Sequence, residues 1–231
     1  MKNALKIMTI SMGLVLFVIV LLQSVELATF NEKFFKKEFA KLNVAQSIGI
    51  SETDLERVTK NLLDYMKGDI DDLNLEVDIN GQTRYFFSER EILHMIDVEE
   101  LFQNGYFIRN IGVIFLIIGL IISVMKSDKN LFFKNILIGY GLGFAILVVS
   151  ALIISTDFNK YFTIFHEIFF DNDLWILDPS VDLLINIVPL QFFIDICIRL
   201  VTIFSILSIL IIGFGTGNLL YIKNKSVLKF K

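Results

Sequence analysis

Residues 106–154 read YFIRNIGVIFLIIGLIISVMKSDKNLFFKNILIGYGLGFAILVVSALII. Two apolar runs, Tyr106 to Met125 and Leu131 to Ile154, are each long enough to cross about 30 Å of hydrocarbon as a helix, which takes roughly 20 residues. A tight connection joins them, flanked by Lys126, Lys129 and Lys134. Outward from this pair, two further runs pass the same length test, Ile7 to Val25 and Ile194 to Tyr221. Composition agrees: a hydrophobic fraction of 55% with only two prolines in 231 residues, and a mean hydropathy of +0.66, exceed what a soluble domain of this length needs. The sequence predicts a polytopic membrane protein. The first run has Lys2 and Lys6 in front of it, but it outlasts the 7–15 apolar residues of a signal peptide, and Leu27-Ala28-Thr29 is a poor cleavage site. It reads as a retained helix.

Orientation follows from lysine placement. Lys2 and Lys6 precede the first span, Lys126, Lys129 and Lys134 flank the connection between the second and third, and Lys223, Lys225, Lys229 and Lys231 follow the fourth. In a four-span topology these share one face, so both termini are expected to be cytoplasmic. The acids concentrate in the other two loops; Asp195 falls at the outer start of the fourth run, and Asp128 is the one acid on the lysine-bearing face. The expected order is transmembrane helices at 7–25, 106–125, 131–154 and 194–221, an extracytoplasmic cap at 26–105 and an extracytoplasmic aromatic-rich loop at 155–193. The single cysteine, Cys197, permits no intramolecular disulfide. Inside a hydrophobic span it reads as an inert packing residue, because reactive thiols need an electropositive, accessible setting. A net charge of −4 with acidic outer loops argues against nucleic acid as a partner.

The first outer loop is long enough for a small domain. Ser51 and Asp54 form a capping-box pattern opening a helix toward Lys67, and Leu55, Val58, Leu62, Leu63 and Met66 give it an apolar face. Leu73, Leu75, Val77 and Ile79 then alternate with polar residues, and Asn80-Gly81 supplies the positive-φ pair of a type I′ hairpin turn. Ser88 and Glu91 form a second capping box. Residues 30–42 are ambiguous between helix and strand. The fold class is therefore an α-helical integral membrane protein, four transmembrane helices with a small extracytoplasmic α/β cap.

Only two histidines occur, His94 and His166, and both fall in the outer loops. Histidine is the side chain whose unperturbed pKa lets it trade protons near neutrality. Glu91 and Asp97 each lie three residues from His94, where either carboxylate could orient the imidazole. Spacing alone favours the plainer account, a surface helix laced with charges. In the second outer loop Phe158, Tyr161, Phe162, Phe165, Phe169, Phe170 and Trp175 crowd around His166. An aromatic belt at the headgroup level explains part of that density. If Tyr161 to Phe170 is helical, Phe162 and Phe169 would flank His166 and form a water-excluding wall able to hold acyl chains.

No GxSxG elbow is present. Two histidines do not complete a zinc site, and Glu91, Asp97 or Glu167 would have to be added without any HExxH-like cluster, so no metal is expected. Gly139, Gly141 and Gly143 in the third span are suited to close helix packing. Arg109 and Arg199, near the outer ends of their spans, either snorkel to headgroups or bind an anionic or carbonyl group of a substrate.

RYFFSEREILHMIDVEELF (84–102) and FHEIFFDNDLWILDPSVDLLINIVPLQFF (165–193) resemble the lipoprotein intramolecular transacylase family of bacterial membrane proteins, and the resemblance extends over essentially the whole chain. It implies a lipoprotein substrate whose N-terminal cysteine carries a diacylglyceryl thioether. The sn-2 acyl chain would move to the cysteine α-amino group and leave a lyso-form lipoprotein. It also implies that His94 and His166 are catalytic and that no cofactor is needed. Glu91, Asp97, Glu167, Arg109 and Arg199 are then candidates to orient or stabilise charge, and Tyr85, Phe162, Phe165, Phe169, Phe170, Trp175 and Phe192 to line an acyl pocket in contact with membrane lipid. Attack of the amine on the ester closes a ring of about eight atoms, so holding the chain folded supplies much of the rate. His166 is expected to take the amine proton, with His94 supporting the oxyanion or protonating the leaving oxygen, and the reverse assignment stays open. Two other readings compete: a non-enzymatic membrane sensor or accessory protein binding a partner or cation through its acidic cap, and an acyl-enzyme formed on Cys197 or a serine.

Overall fold

The computed structural model describes residues 2–126 and 129–228, the side chains of 226–228 excepted. Asp128, Lys229 and Lys231, used above for orientation, lie outside the described residues. The elements are α1 (Lys2–Thr29), α2 (Glu32–Lys41), α3 (Val44–Ile48), α4 (Glu52–Lys67), β1 (Glu76–Ile79), β2 (Gln82–Tyr85), α5 (Glu89–Lys126), α6 (Lys129–Ile154), α7 (Phe158–Phe169), α8 (Leu184–Ile187) and α9 (Leu190–Leu228). Helices α1, α5, α6 and α9 contain the four stretches long and apolar enough to cross a membrane. The chain divides into two compact units: Met1–Leu27, Tyr106–Thr156 and Arg199–Lys231 form one, and Ala28–Gly105 with Asp157–Ile198 the other. Helices α5 and α9 begin in the second unit and end in the first, so each runs well past its apolar span, at 38 and 39 residues.

The first unit is built for lipid as solvent. Ile114, Ile117, Ile121, Leu152, Ile209 and Leu210 are exposed, whereas Thr9, Ser24, Asn135 and Ser208 are buried. Hydrocarbon does not drive apolar side chains together, so close packing and internal hydrogen bonds must hold the helices. Asn135 donates to the Thr9 hydroxyl at 2.9 Å, and the Tyr140 and Ser208 hydroxyls meet at 2.7 Å. Phe17 packs edge-on against Tyr140 and Phe204, with centroids at 5.9 and 5.6 Å. Gly13 of α1 and Gly139 of α6 let two backbones touch: a Cβ on Gly139 would strike the Ile10 carbonyl and stand 3.0 Å from the Gly13 Cα. Gly143 does the same against the Phe17 ring, whereas Gly141 faces open space. We therefore expect Gly139→Val to part α1 from α6 and cost about 1–3 kcal/mol, and Gly141→Val to be neutral. Thermal unfolding of the two variants in detergent tests the contrast.

The second unit has an ordinary water-excluding core. Helix α4 buries Leu55, Val58, Leu62, Leu63 and Met66, the face its spacing predicts, and Ser51 caps it by accepting from the Asp54 N–H at 3.0 Å. Residues 32–41 settle as helix because Asn31 caps them, accepting from the Phe34 N–H at 2.9 Å, and because Phe35, Glu38 and Phe39 fall on one buried face. The hairpin forms with Val77 opposite Arg84 and Ile79 opposite Gln82. Asn80 and Gly81 take φ of 53° and 83°, the signature of the two-residue turn. Pairing is shorter than the alternation from Leu73 suggests. Asp72 accepts from the Asn74 N–H at 2.8 Å, and that local turn competes with the strand, although Leu73 is still buried.

Candidate functional site

Helix α5 starts with a reciprocal cap. The Ser88 N–H donates to Glu91 Oε2 at 2.6 Å, and the Glu91 N–H donates to Ser88 Oγ at 3.3 Å. The other Glu91 oxygen accepts from the Leu184 N–H at 2.5 Å. Glu91 is 1% exposed, and a buried carboxylate is stable there because two backbone donors and the positive helix N-terminus offset its desolvation. Next to it the Ser88 hydroxyl donates to Asp182 at 3.1 Å, and Asp182 also accepts from the Asp178 N–H at 2.8 Å. Arg90 donates to the Asp173 carbonyl, and its guanidinium lies 3.6 Å from the Asp173 carboxylate. Asn172 donates to Asp97 at 2.8 Å. These four links run from residues 88–97 to residues 172–184 and bring together two segments far apart in sequence.

Between these links sits His94, 7% exposed. Helix α7, capped by Asp157 accepting from the Lys160 N–H at 3.1 Å, carries His166 on its last turn at 9% exposure. The two imidazole centroids are 6.3 Å apart, with 35° between the ring planes. His166 Nδ1 lies 2.7 Å from the Phe162 carbonyl. A carbonyl only accepts, so Nδ1 carries the proton and Nε2 keeps its lone pair. His94 Nδ1 is buried without a partner among the described residues.

Aromatic rings surround His166: Phe162 at 4.3 Å, Phe165 at 5.5 Å, Phe170 at 5.5 Å and Trp175 at 5.0 Å between centroids. Phe170 also meets His94 edge-on at 5.3 Å. This enclosure decides the protonation states. Burial above all, and then the His166 ring, pull His94 down to about 4, with Asp97 working against both. Burial also lowers His166, opposed by the Phe162 carbonyl. Both rings are therefore uncharged at neutral pH. Because the unfolded chain protonates its histidines more readily than the folded one, stability is fully present above about pH 6.5. It falls progressively toward pH 4, by about 3 kcal/mol for His94 alone. The chain's only tryptophan lies against His166, so quenching of its emission on acidification should show a midpoint below the ordinary histidine value. A midpoint at or above pH 6.5 would contradict the burial argument.

The structure sorts the sequence candidates. Glu91 does not orient His94: both of its oxygens serve backbone donors, because it is the acidic member of the capping box. Asp97, one turn along, is the carboxylate whose charge His94 feels. Glu167 is exposed. Phe169 is 52% exposed and packs on Phe165 at 4.7 Å rather than on the imidazole, so Phe165, Phe170 and Trp175 take the flanking place expected of it. Phe192 is core, 2% exposed and packed on Phe34, Phe35 and Phe39 rather than on the rings around His166. Tyr85 stands exposed at the end of β2, opposite Glu76. In the first unit Arg109 pairs with Glu26, donates to Gln23 at 3.1 Å and stacks over Tyr106, so its charge is already satisfied. Arg199 is half-buried in that same unit. Cys197 is exposed on α9 and is not the packing residue expected of it. Sequence reasoning overlooked Asn172, Asp182 and Phe193, the last packed on Phe162 at 4.7 Å. The DND run at 171–173 was the available signal for the first, as a turn-forming cluster.

The sequence model of a family described as "Lipoprotein intramolecular transacylase Lit" matches residues 10–193. A solved structure of the membrane-integral lipoprotein intramolecular transacylase Lit from Bacillus cereus is similar at a TM-score of 0.73 and 18% identity, covering 99% of this chain and 98% of that one. A variant of the same protein, with one histidine replaced by arginine, gives 0.78 at 19% identity, covering 97% and 96%. Identities this low carry the fold. No curated protein sequence matches.

Proposed function

Since the chain belongs to the lipoprotein intramolecular transacylase Lit family, and so is a multi-pass membrane acyltransferase acting on lipoproteins, we propose that it moves the sn-2 acyl chain of a diacylglyceryl-cysteine lipoprotein to the cysteine's own α-amino group, with His94 and His166 as the acid–base pair. The observation that carries this reading is the pair of buried imidazoles at 6.3 Å inside one aromatic enclosure. Membership in an enzyme family replaces the sensor reading. Lysine placement favours cytoplasmic termini and a reaction at the outer face.

His166, with Nδ1–H held by Phe162, offers Nε2 to take the proton of the attacking amine. The amine nitrogen bonds to the ester carbonyl carbon, the bond from that carbon to the sn-2 oxygen breaks, and the same proton passes from His166 to the freed oxygen. An amide and a hydroxyl replace an amine and an ester, so total mass is unchanged. His94, uncharged, is a poor acid but a competent N–H donor, which suits it to the oxyanion rather than to protonating the leaving oxygen. No enzyme nucleophile is required.

Expression in a bacterium that makes only diacylated lipoproteins, followed by mass spectrometry of the N-terminal lipopeptide, tests the activity. One acyl chain on nitrogen at unchanged total mass is expected, and lipopeptides that keep a free amine would refute it. Cys197→Ala is expected to retain full turnover, and loss of activity there would revive an acyl-enzyme.

A further inference from the structure

We propose that Asn172 is a positioning residue for both histidines, holding the Trp175 indole against His166 and the Asp97 carboxylate beside His94. Its catalytic consequence rests on the histidine mechanism proposed above, whereas its structural part does not. After α7 ends at Phe169 the chain turns through residues 171–173, and Asn172 makes three hydrogen bonds there. Its side-chain NH₂ donates to Asp97 Oδ2 at 2.8 Å. Its side-chain oxygen accepts from the Leu174 N–H at 3.0 Å. Its backbone carbonyl accepts from the Trp175 indole N–H at 2.9 Å. The first bond ties the turn to α5 one helical turn beyond His94, where an i, i+3 neighbour shares the imidazole's face. The third fixes the ring that stands 5.0 Å from His166. A single residue thus links the ring that stands against His166 to the carboxylate whose charge His94 feels.

The choice of asparagine over aspartate has a physical reason. Both residues close the local turn to Leu174, but only asparagine offers a donor to Asp97. Aspartate would set two carboxylates face to face. The Arg90–Asp173 link lies next door and keeps the segment near α5, so losing the Asn172 donor should misplace the turn rather than release it. The charged and titratable groups on the elements around the pair include His94, Asp97, Arg90 and the capping Glu91 on α5, Asp171 and Asp173 in the turn, and Lys160, His166 and Glu167 on α7.

The test uses the full-length chain in detergent, with Trp175 emission as a readout independent of turnover. Asn172→Asp keeps the turn and the indole acceptor, removes the donor to Asp97 and sets a second carboxylate against it. It should shift Trp175 emission, raise the pH midpoint of its quenching toward the ordinary histidine value as water enters, and lower kcat about ten- to a hundredfold with little change in KM. The Asn172→Asp/Asp97→Asn double variant reverses the polarity of the bond and should restore the emission and its midpoint. Unchanged emission and midpoint in Asn172→Asp would overturn the proposal, as would a double variant no closer to wild type than the single one. A shifted, rescuable emission with unaltered turnover would sustain the clamp and count against the histidine mechanism.

Discussion

Replacing His166 with glutamine is expected to lower transacylation by about 10²–10⁴-fold, the range a positioned general base contributes. His166 is the imidazole whose geometry suits it to that task. Its Nδ1–H is committed to the Phe162 carbonyl at 2.7 Å, its charged form is disfavoured by burial, and four aromatic rings exclude water from it. The loss should appear in kcat, because the rings proposed to hold the acyl chain are left in place by the substitution. His94→Gln should cost comparably if its N–H serves the oxyanion, since removal of one such donor typically costs 10²–10³-fold. A second readout guards against misreading an unfolded variant. With His94 gone, the stability lost between about pH 6.5 and 4 should shrink, because the group that resists protonation is no longer there. Lipopeptide mass spectrometry with purified variants, alongside thermal unfolding across that pH range, measures both. Full turnover in both variants would leave the acid–base mechanism without support.

Glu91→Ala is expected to have the largest effect on stability, about 3 kcal/mol or more. Its carboxylate accepts from the Ser88 and Leu184 N–H groups, and Leu184 is buried. Truncation strands both donors, each charge-assisted bond being worth about 1.5–3 kcal/mol. Glu91→Gln retains one oxygen and turns an NH₂ toward the other donor, so an intermediate loss follows. The loop at 178–184 should become protease-sensitive in both variants, and activity should follow the folded fraction. If Glu91→Gln instead kept full stability and lost turnover, the carboxylate would be acting on the histidine and its capping role would be wrong.

Much of the architecture was legible because it is local. The four spans follow from length and apolarity alone, since nothing but a helix satisfies its own backbone in hydrocarbon. The serine N-caps at Ser51 and Ser88 and the Asn80-Gly81 turn are decided within a few residues, and all three form where the pattern puts them, the cap at Ser88 reciprocally. The third-span glycines were legible as small residues, but not which of them meets a neighbour. That depends on where α1 happens to lie, and Gly139 and Gly143 make close approaches that Gly141 does not.

The site divides along the same line. The sequence by itself determined the candidate groups: two histidines, aromatic rings one helical turn apart around His166, and a carboxylate three residues to either side of His94. In one dimension Glu91 and Asp97 are equivalent partners, and Phe192 and Phe170 are equivalent walls. Tertiary structure broke both equivalences. The segment 172–184 returns to the start of α5 with backbone donors that claim Glu91 and an amide that claims Asp97, while the α2 phenylalanines draw Phe192 into the core. Hydrogen-bond valence and packing volume are finite, and which neighbour uses them is settled only when distant segments meet.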